Sequence, residues 1–149
     1  MDPAVNRLLT LKVKDVMTRD VVCVHADQTA DEAAARFVRA RISGAPVVDA
    51  HGVCVGVLSA TDYVSPRCPD DSAACTDGER KSVGDLMSRG VQSVGPEQTL
   101  LTAARLMCIK HLHRLPVLDH ESRPVGLLTA MDAVAALVNA IDEREAATM

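Results

Sequence analysis

The stretch from Leu112 to Asp132 reads Leu-His-Arg-Leu-Pro-Val-Leu-Asp-His-Glu-Ser-Arg-Pro-Val-Gly-Leu-Leu-Thr-Ala-Met-Asp, and its reading decides the fold. Two short apolar runs, Leu115 to Leu118 and Val125 to Leu128, read as strands separated by the polar turn Asp119 to Arg123. The second run passes through Thr129-Ala130-Met131-Asp132 into a helical pattern. A Thr at that junction caps a helix, and a carboxylate in the first turn suits the helix dipole. Backbone N–H groups at such an end attract an anion. His113 and Arg114 add cationic or hydrogen-bonding groups just before the first strand, so a phosphate-bearing small molecule is the expected ligand chemistry.

The same pattern occurs earlier in the chain. Asp85-Leu86-Met87-Ser88-Arg89 stands 70 residues after Asp15-Val16-Met17-Thr18-Arg19. That offset holds without a gap from Gln28-Thr29 and Gln98-Thr99, through Pro46-Val47 and Pro116-Val117, to Val55-Gly56 and Val125-Gly126. It ends by aligning Asp62 with Asp132. The chain is a tandem duplication.

With 149 residues, 48% of them hydrophobic, the chain can bury one sizeable core. No apolar run approaches the roughly 20 residues that span a bilayer, and the N-terminus lacks a signal-peptide pattern; no membrane association is expected and a cytoplasmic location is. A net charge of −4 gives no general attraction to nucleic acid. Aromatics are 1% of residues, so a bound base has to be held by aliphatic side chains. Five cysteines, none in a Cys-x-x-Cys pair, argue against a secreted disulfide framework. Cys23, Cys54 and Cys108 sit in apolar patterns and read as core residues; Cys68 and Cys75 lie in a polar loop and leave open a thiol-responsive protein. No metal site is expected.

In order, residues 1–12 form a leading helix, 13–66 the first repeat, 67–81 a linker, 82–144 the second repeat and 145–149 a frayed tail. Val21 to Val24 reads as a strand. Thr29 to Glu32 opens a helix that places Ala33, Ala34, Phe37 and Val38 on one face and Arg36, Arg39 and Arg41 on the other. Strands Ala45 to Val48 and Val53 to Leu58 follow, then a helix opened by Ser59 to Asp62. The second repeat places Ala103, Ala104, Met107 and Cys108 in the core, and the closing helix carries the stripe Val134, Leu137, Val138 and Ile141. Each repeat is strand, helix, strand, strand, helix. The expected class is α/β (α+β), two pseudo-symmetric β-α-β-β-α repeats packed through their sheets.

This order, with Met-Thr or Met-Ser at the start and Gly-Val-Leu-Ser-Ala-Thr-Asp or Gly-Leu-Leu-Thr-Ala-Met-Asp near the end, resembles a tandem pair of CBS domains. The resemblance implies a stand-alone regulatory module with no catalytic role. It implies adenine nucleotide ligands, AMP, ADP or ATP with S-adenosylmethionine as an alternative, held in two clefts between the repeats. Carried onto this chain, Ser59 and Asp62, and Thr129 and Asp132, contact phosphate and ribose. Thr18, Asp20 and Val21 come towards Asp132, and Ser88, Gly90 and Val91 towards Asp62. His113 and Arg114 resemble a His-Arg pair that the regulatory subunit of AMP-activated kinase uses on phosphate. The offset places Ser43 and Gly44 opposite them, so the Asp132 cleft is expected to be the tighter. A homodimer and an unknown regulated protein are the expected partners. The competing readings are a structural dimerisation module with empty clefts, or a thiol-responsive regulator.

Overall fold

In both repeats the fold is set by helix starts that satisfy their own N–H groups and by glycines that admit a crossing segment. The computed structural model describes residues 2–64 and 81–148, so Cys68, Cys75 and the expected linker up to residue 80 lie outside the described residues. In chain order the elements are α1 (Pro3–Thr10), α2 (Val13–Val16), β1 (Val24–His25), α3 (Ala30–Ala40), β2 (Gly44–Val48), β3 (Cys54–Ser59), α4 (Thr61–Val64), α5 (Val83–Leu86), α6 (Leu100–Lys110), β4 (Arg114–Leu118), β5 (Pro124–Thr129) and α7 (Ala130–Thr148). Helices and small sheets make this an α+β protein. No helix among the described residues is long and apolar enough to cross a membrane.

The chain forms two units, and neither coincides with one repeat. The first comprises Met1–Val21, Gln92–Glu121 and Val125–Met149; the second comprises Val22–Val91 and Ser122–Pro124. Each repeat surrenders its opening segment. Lys12, directly before the first repeat, bridges Thr99, the cap of the second repeat's helix, while Thr29 bridges Ser82.

In the second unit β1, β2 and β3 form a sheet in that order, β1 parallel and β3 antiparallel to β2. Gly44 pairs with Ser59 and Ala45 with Leu58, and the register slips between Val47 and Val48. Thr29 Oγ1 accepts the Glu32 N–H at 3.1 Å, starting α3, whose Ala33 and Phe37 pack with Val24, Val47, Leu58 and Val83. In the first unit β4 and β5 pair, and Val94 bridges Val117 in parallel, a single bridge in place of a full β1 equivalent. Thr99 Oγ1 accepts the Thr102 N–H at 3.2 Å, and α6 packs Ala103 and Met107 on Leu115, Val117 and Leu128. Leu58 and Leu128 are fully buried, and truncating either to Ala costs about 2–5 kcal/mol.

Several expectations are corrected. The first strand lies at Val24–His25, not Val21 to Val24, because the Val21 N–H turns back onto Arg19 O at 2.8 Å and cannot join a ladder. Val38 is 78% exposed rather than in the core, since α3 buries the face through Ala33 and Phe37. Cys108 is exposed, one position beyond the buried Met107. α7 runs to Thr148 where fraying was expected from Glu145. Its last turns are rich in good helix formers, and ion pairs join it to α1, Arg7 to Glu143 at 2.8 Å and Arg144 to Asp2 at 3.1 Å.

Candidate functional site

In the first unit the end of β5 and the start of α7 form a closed ring. The Thr129 N–H donates to Asp132 Oδ2 at 2.9 Å and the Asp132 N–H donates to Thr129 Oγ1 at 3.1 Å, a reciprocal cap. Because the Thr129 hydroxyl accepts here, its own proton is left to donate elsewhere. The Ala130 N–H is held by His113 O at 2.9 Å, which brings the start of β4 against the same junction.

Thr18 reaches this place from the far end of the chain. It exchanges two backbone hydrogen bonds with Leu127, at 2.9 and 3.0 Å. Gly126 lets it approach. A Cβ there would stand 2.5 Å from Met17 Sδ and 3.0 Å from Thr18 O. Thus Thr18, His113, Arg114, Thr129 and Asp132 assemble within one unit. Asp20 and Val21 follow in the loop, where the Val21 N–H bonds to Arg19 O rather than to the helix start.

The second unit repeats the arrangement. Ser88 exchanges hydrogen bonds with Val57 at 2.9 and 3.1 Å, the Ala60 N–H bonds to Ser43 O at 2.9 Å, and the Ser59 N–H donates to Asp62 Oδ2 at 2.8 Å. A Cβ on Gly56 would meet Ser88 O and Met87 Sδ, each at 2.7 Å. Ser59, Asp62 and Ser88 therefore come together, with Val91 at the end of the unit. The Ser59 hydroxyl behaves differently from that of Thr129. It donates to Asp62 Oδ2 at 3.2 Å and shares a 2.7 Å bond with Thr61 Oγ1.

Sequence reasoning missed three residues here. Met17 and Met87 cover the glycines, and the signal was present in the Met-Thr and Met-Ser pairs that keep register with Val-Gly. Tyr63, directly after Asp62, donates its hydroxyl to Ala30 O at 2.7 Å and ties α4 to the start of α3. Burial pushes its phenol upward, with Asp31 and Asp62 adding to the rise.

Cys23 and Cys54 are half-buried, and burial raises both thiols, which keeps them protonated and poorly nucleophilic. Among the described residues no three His, Cys, Asp or Glu side chains are placed to hold a metal ion.

The CBS domain model matches this chain twice, at residues 13–65 and 83–139. The CBS domain-containing protein YhcV of Bacillus subtilis is 33% identical over 120 residues, covering 80% of this chain and 81% of that one. The structure of CBSX2 in complex with AMP, a protein of Arabidopsis thaliana, superposes with a TM-score of 0.77 at 30% identity, covering 87% of this chain and 97% of that chain. The CBS domain pair of protein MJ0100, in complex with 5′-methylthioadenosine and S-adenosyl-L-methionine, gives 0.73 at 25% identity, with the same two coverages. Other curated relatives are longer, and the chain spans 22–40% of three of them. Two matched repeats over most of the chain, on a fold shared with these pairs, make it a member of the CBS domain family.

Proposed function

We propose that this chain is a regulatory module that binds an adenine nucleotide, AMP, ADP or ATP, and relays occupancy to a partner protein. The observation that carries this is the ring of Thr129 and Asp132, flanked by Thr18 and by the cation Arg114. In it a carboxylate suited to two ribose hydroxyls stands beside a hydroxyl with a proton to donate. Ser59, Asp62, Ser88 and Val91 would form the second site, and Asp20 and Val21 would wall the first. The AMP complex of CBSX2 and the adenosyl ligands of the MJ0100 pair support the ligand class. No catalytic step is assigned to either site. Calorimetry against AMP, ADP, ATP and S-adenosylmethionine tests it: saturable binding of one adenosyl ligand is expected, and no heat with any of the four would overturn it.

We further propose a homodimer in the cytoplasm. Part of the expected apolar surface is spent internally, since Ala33, Ala103 and Met107 are buried in their own units. What stays open is α7, where Val134, Leu137, Val138 and Ile141 are 46–50% exposed and Met131 71%. Apolar area left wet forfeits roughly 25 cal/mol per Å². Light scattering should give twice the chain mass, and Leu137→Asp with Ile141→Asp should return it to one; a monomer in the unaltered protein would refute the dimer.

A further inference from the structure

Arg114 and its repeat-mate Gly44 occupy equivalent places. Gly44 pairs across the ladder with Ser59. The bond from the Ala60 N–H to Ser43 O recurs as that from the Ala130 N–H to His113 O, both at 2.9 Å, which sets Arg114 opposite Thr129. Leu115 and Leu128 point into the core, so alternation puts the side chains of Arg114 and Thr129 together on the other face. Directly opposed side chains on one face have Cβ atoms about 5 Å apart. A guanidinium therefore stands across the ladder from Thr129, while the matching position across from Ser59 is Gly44, which has no side chain.

The hydroxyls point the same way. Thr129 accepts the Asp132 N–H and keeps its proton for an incoming acceptor. Ser59 instead donates its O–H to the Asp62 carboxylate, at 3.2 Å. An anion arriving beside Thr129 meets a fixed positive charge and an O–H donor. One arriving beside Ser59 meets a carboxylate whose charge is offset by no residue at position 44.

We infer that Arg114 and Gly44 divide the two sites by ligand charge: the Thr129 site takes a phosphorylated adenosine, and the Ser59 site an adenosyl compound that carries no phosphate. This rests on the nucleotide reading above and adds to it the class of ligand at each site. A Ser hydroxyl facing Asp62 remains compatible with neutral ribose hydroxyls and with a cationic group. It is the phosphate that the second site refuses.

The test is calorimetry of the whole chain with AMP and with adenosine as probes. AMP should fill about one site per chain, and adenosine should still bind the AMP-saturated protein. Asp62→Ala should remove that adenosine phase. Arg114→Gly should cut the preference of the first site for AMP over adenosine by at least about tenfold, as expected for one charged hydrogen bond. Arg114→Lys should restore part of it, since a point charge lacks the bidentate fork. AMP displacing adenosine from both sites, or Arg114→Gly weakening AMP and adenosine equally, would overturn the charge division and leave the nucleotide reading standing. If neither probe binds the unaltered chain, both fail together.

Discussion

Ser59 and Thr129 occupy matching positions in the two units, and their hydroxyls do opposite things. Thr129 accepts from the helix backbone; Ser59 donates to the helix carboxylate. The neighbours that differ are Thr61, which shares a short bond with Ser59, and Gly44, which replaces Arg114. The backbone bonds around both residues recur, among them the paired bonds of Thr18 with Leu127 and Ser88 with Val57. Duplication therefore preserved the backbone at these two positions and left the side chains around them free to diverge.

The largest effect should come from breaking the ring in the first unit. Asp132→Ala removes the proposed acceptor for two ribose hydroxyls, and tight AMP binding should weaken at least about tenfold. Asp62→Ala should spare that tight phase. Unchanged affinity in folded Asp132→Ala would show that the ring is only a helix cap.

Next come the glycines under the crossing segments. Gly56→Ala drives a methyl to 2.7 Å from a backbone carbonyl, whereas at Gly126 the closest atom is the flexible Met17 thioether and the carbonyl stands at 3.0 Å. Overpacking costs about 1–3 kcal/mol, so both should lower the melting temperature, Gly56→Ala the more. Met17→Ala added to Gly126→Ala should recover part of the loss, while Met87→Ala should recover less for Gly56→Ala. Equal recovery in both units would show that the thioethers, and not the carbonyls, set the clash.

The two hairpin turns offer a smaller contrast. Gly52 has φ +82°, and Ser122, its repeat-mate, holds a left-handed φ of 62° with a side chain attached. Left-handed backbone costs an L-residue roughly 1–2 kcal/mol, partly offset by the entropy Gly loses on folding. Ser122→Gly should raise the melting temperature by a few degrees and Gly52→Ser should lower it; a fall with Ser122→Gly would mean that the serine side chain outweighs its strain.

The smallest effect belongs to an ion cluster peculiar to the first unit. Lys12 and Lys14 reach Glu97 at 2.9 and 3.0 Å, while their repeat-mates are Ser82 and Gly84. Hydrogen bonds and charge from the two lysines, Lys12 foremost, hold the Glu97 carboxyl below its ordinary range. A depressed carboxylate adds stability above its unfolded value and loses it as pH falls through the folded one. The unaltered protein should therefore exceed Glu97→Gln slightly in melting temperature at neutral pH. The gap should close in acid and shrink with salt, as for other exposed pairs. A gap that persists at pH 3 would point to packing instead.

The duplication made most of the fold readable, because an ungapped offset carries the order of strands and helices from one repeat to the other. Strand pairs bounded by Asp49 and Asp119 were legible from their turns. The first strand was not, since nothing in Val21-Val22-Cys23-Val24 announces that the Val21 N–H folds back on Arg19. Periodicity on α3 put Val38 on the wrong side because helices that lie over small sheets bury a narrow face. Of the candidate sites, the residues of the Ser-or-Thr and Asp motif were visible and so was the loss of Arg114's counterpart. The direction of the Ser59 hydroxyl and the methionines over the glycines were hidden, for both depend on what stands next to them in space.

The crossing of the opening segments gives the tandem arrangement a thermodynamic meaning. The segment that covers a glycine strand always comes from the other copy of the repeat: residues of the first repeat lie on Leu127, and residues of the second on Val57. A lone repeat could complete that exchange only with a second molecule, and its integrity would fall on dilution. Placing both copies on one chain turns the encounter into an intramolecular event at an effective concentration on the order of millimolar. Folding of the sites is thereby released from the abundance of the protein, and dilution can act on ligand occupancy and assembly without dismantling the places where ligand would sit.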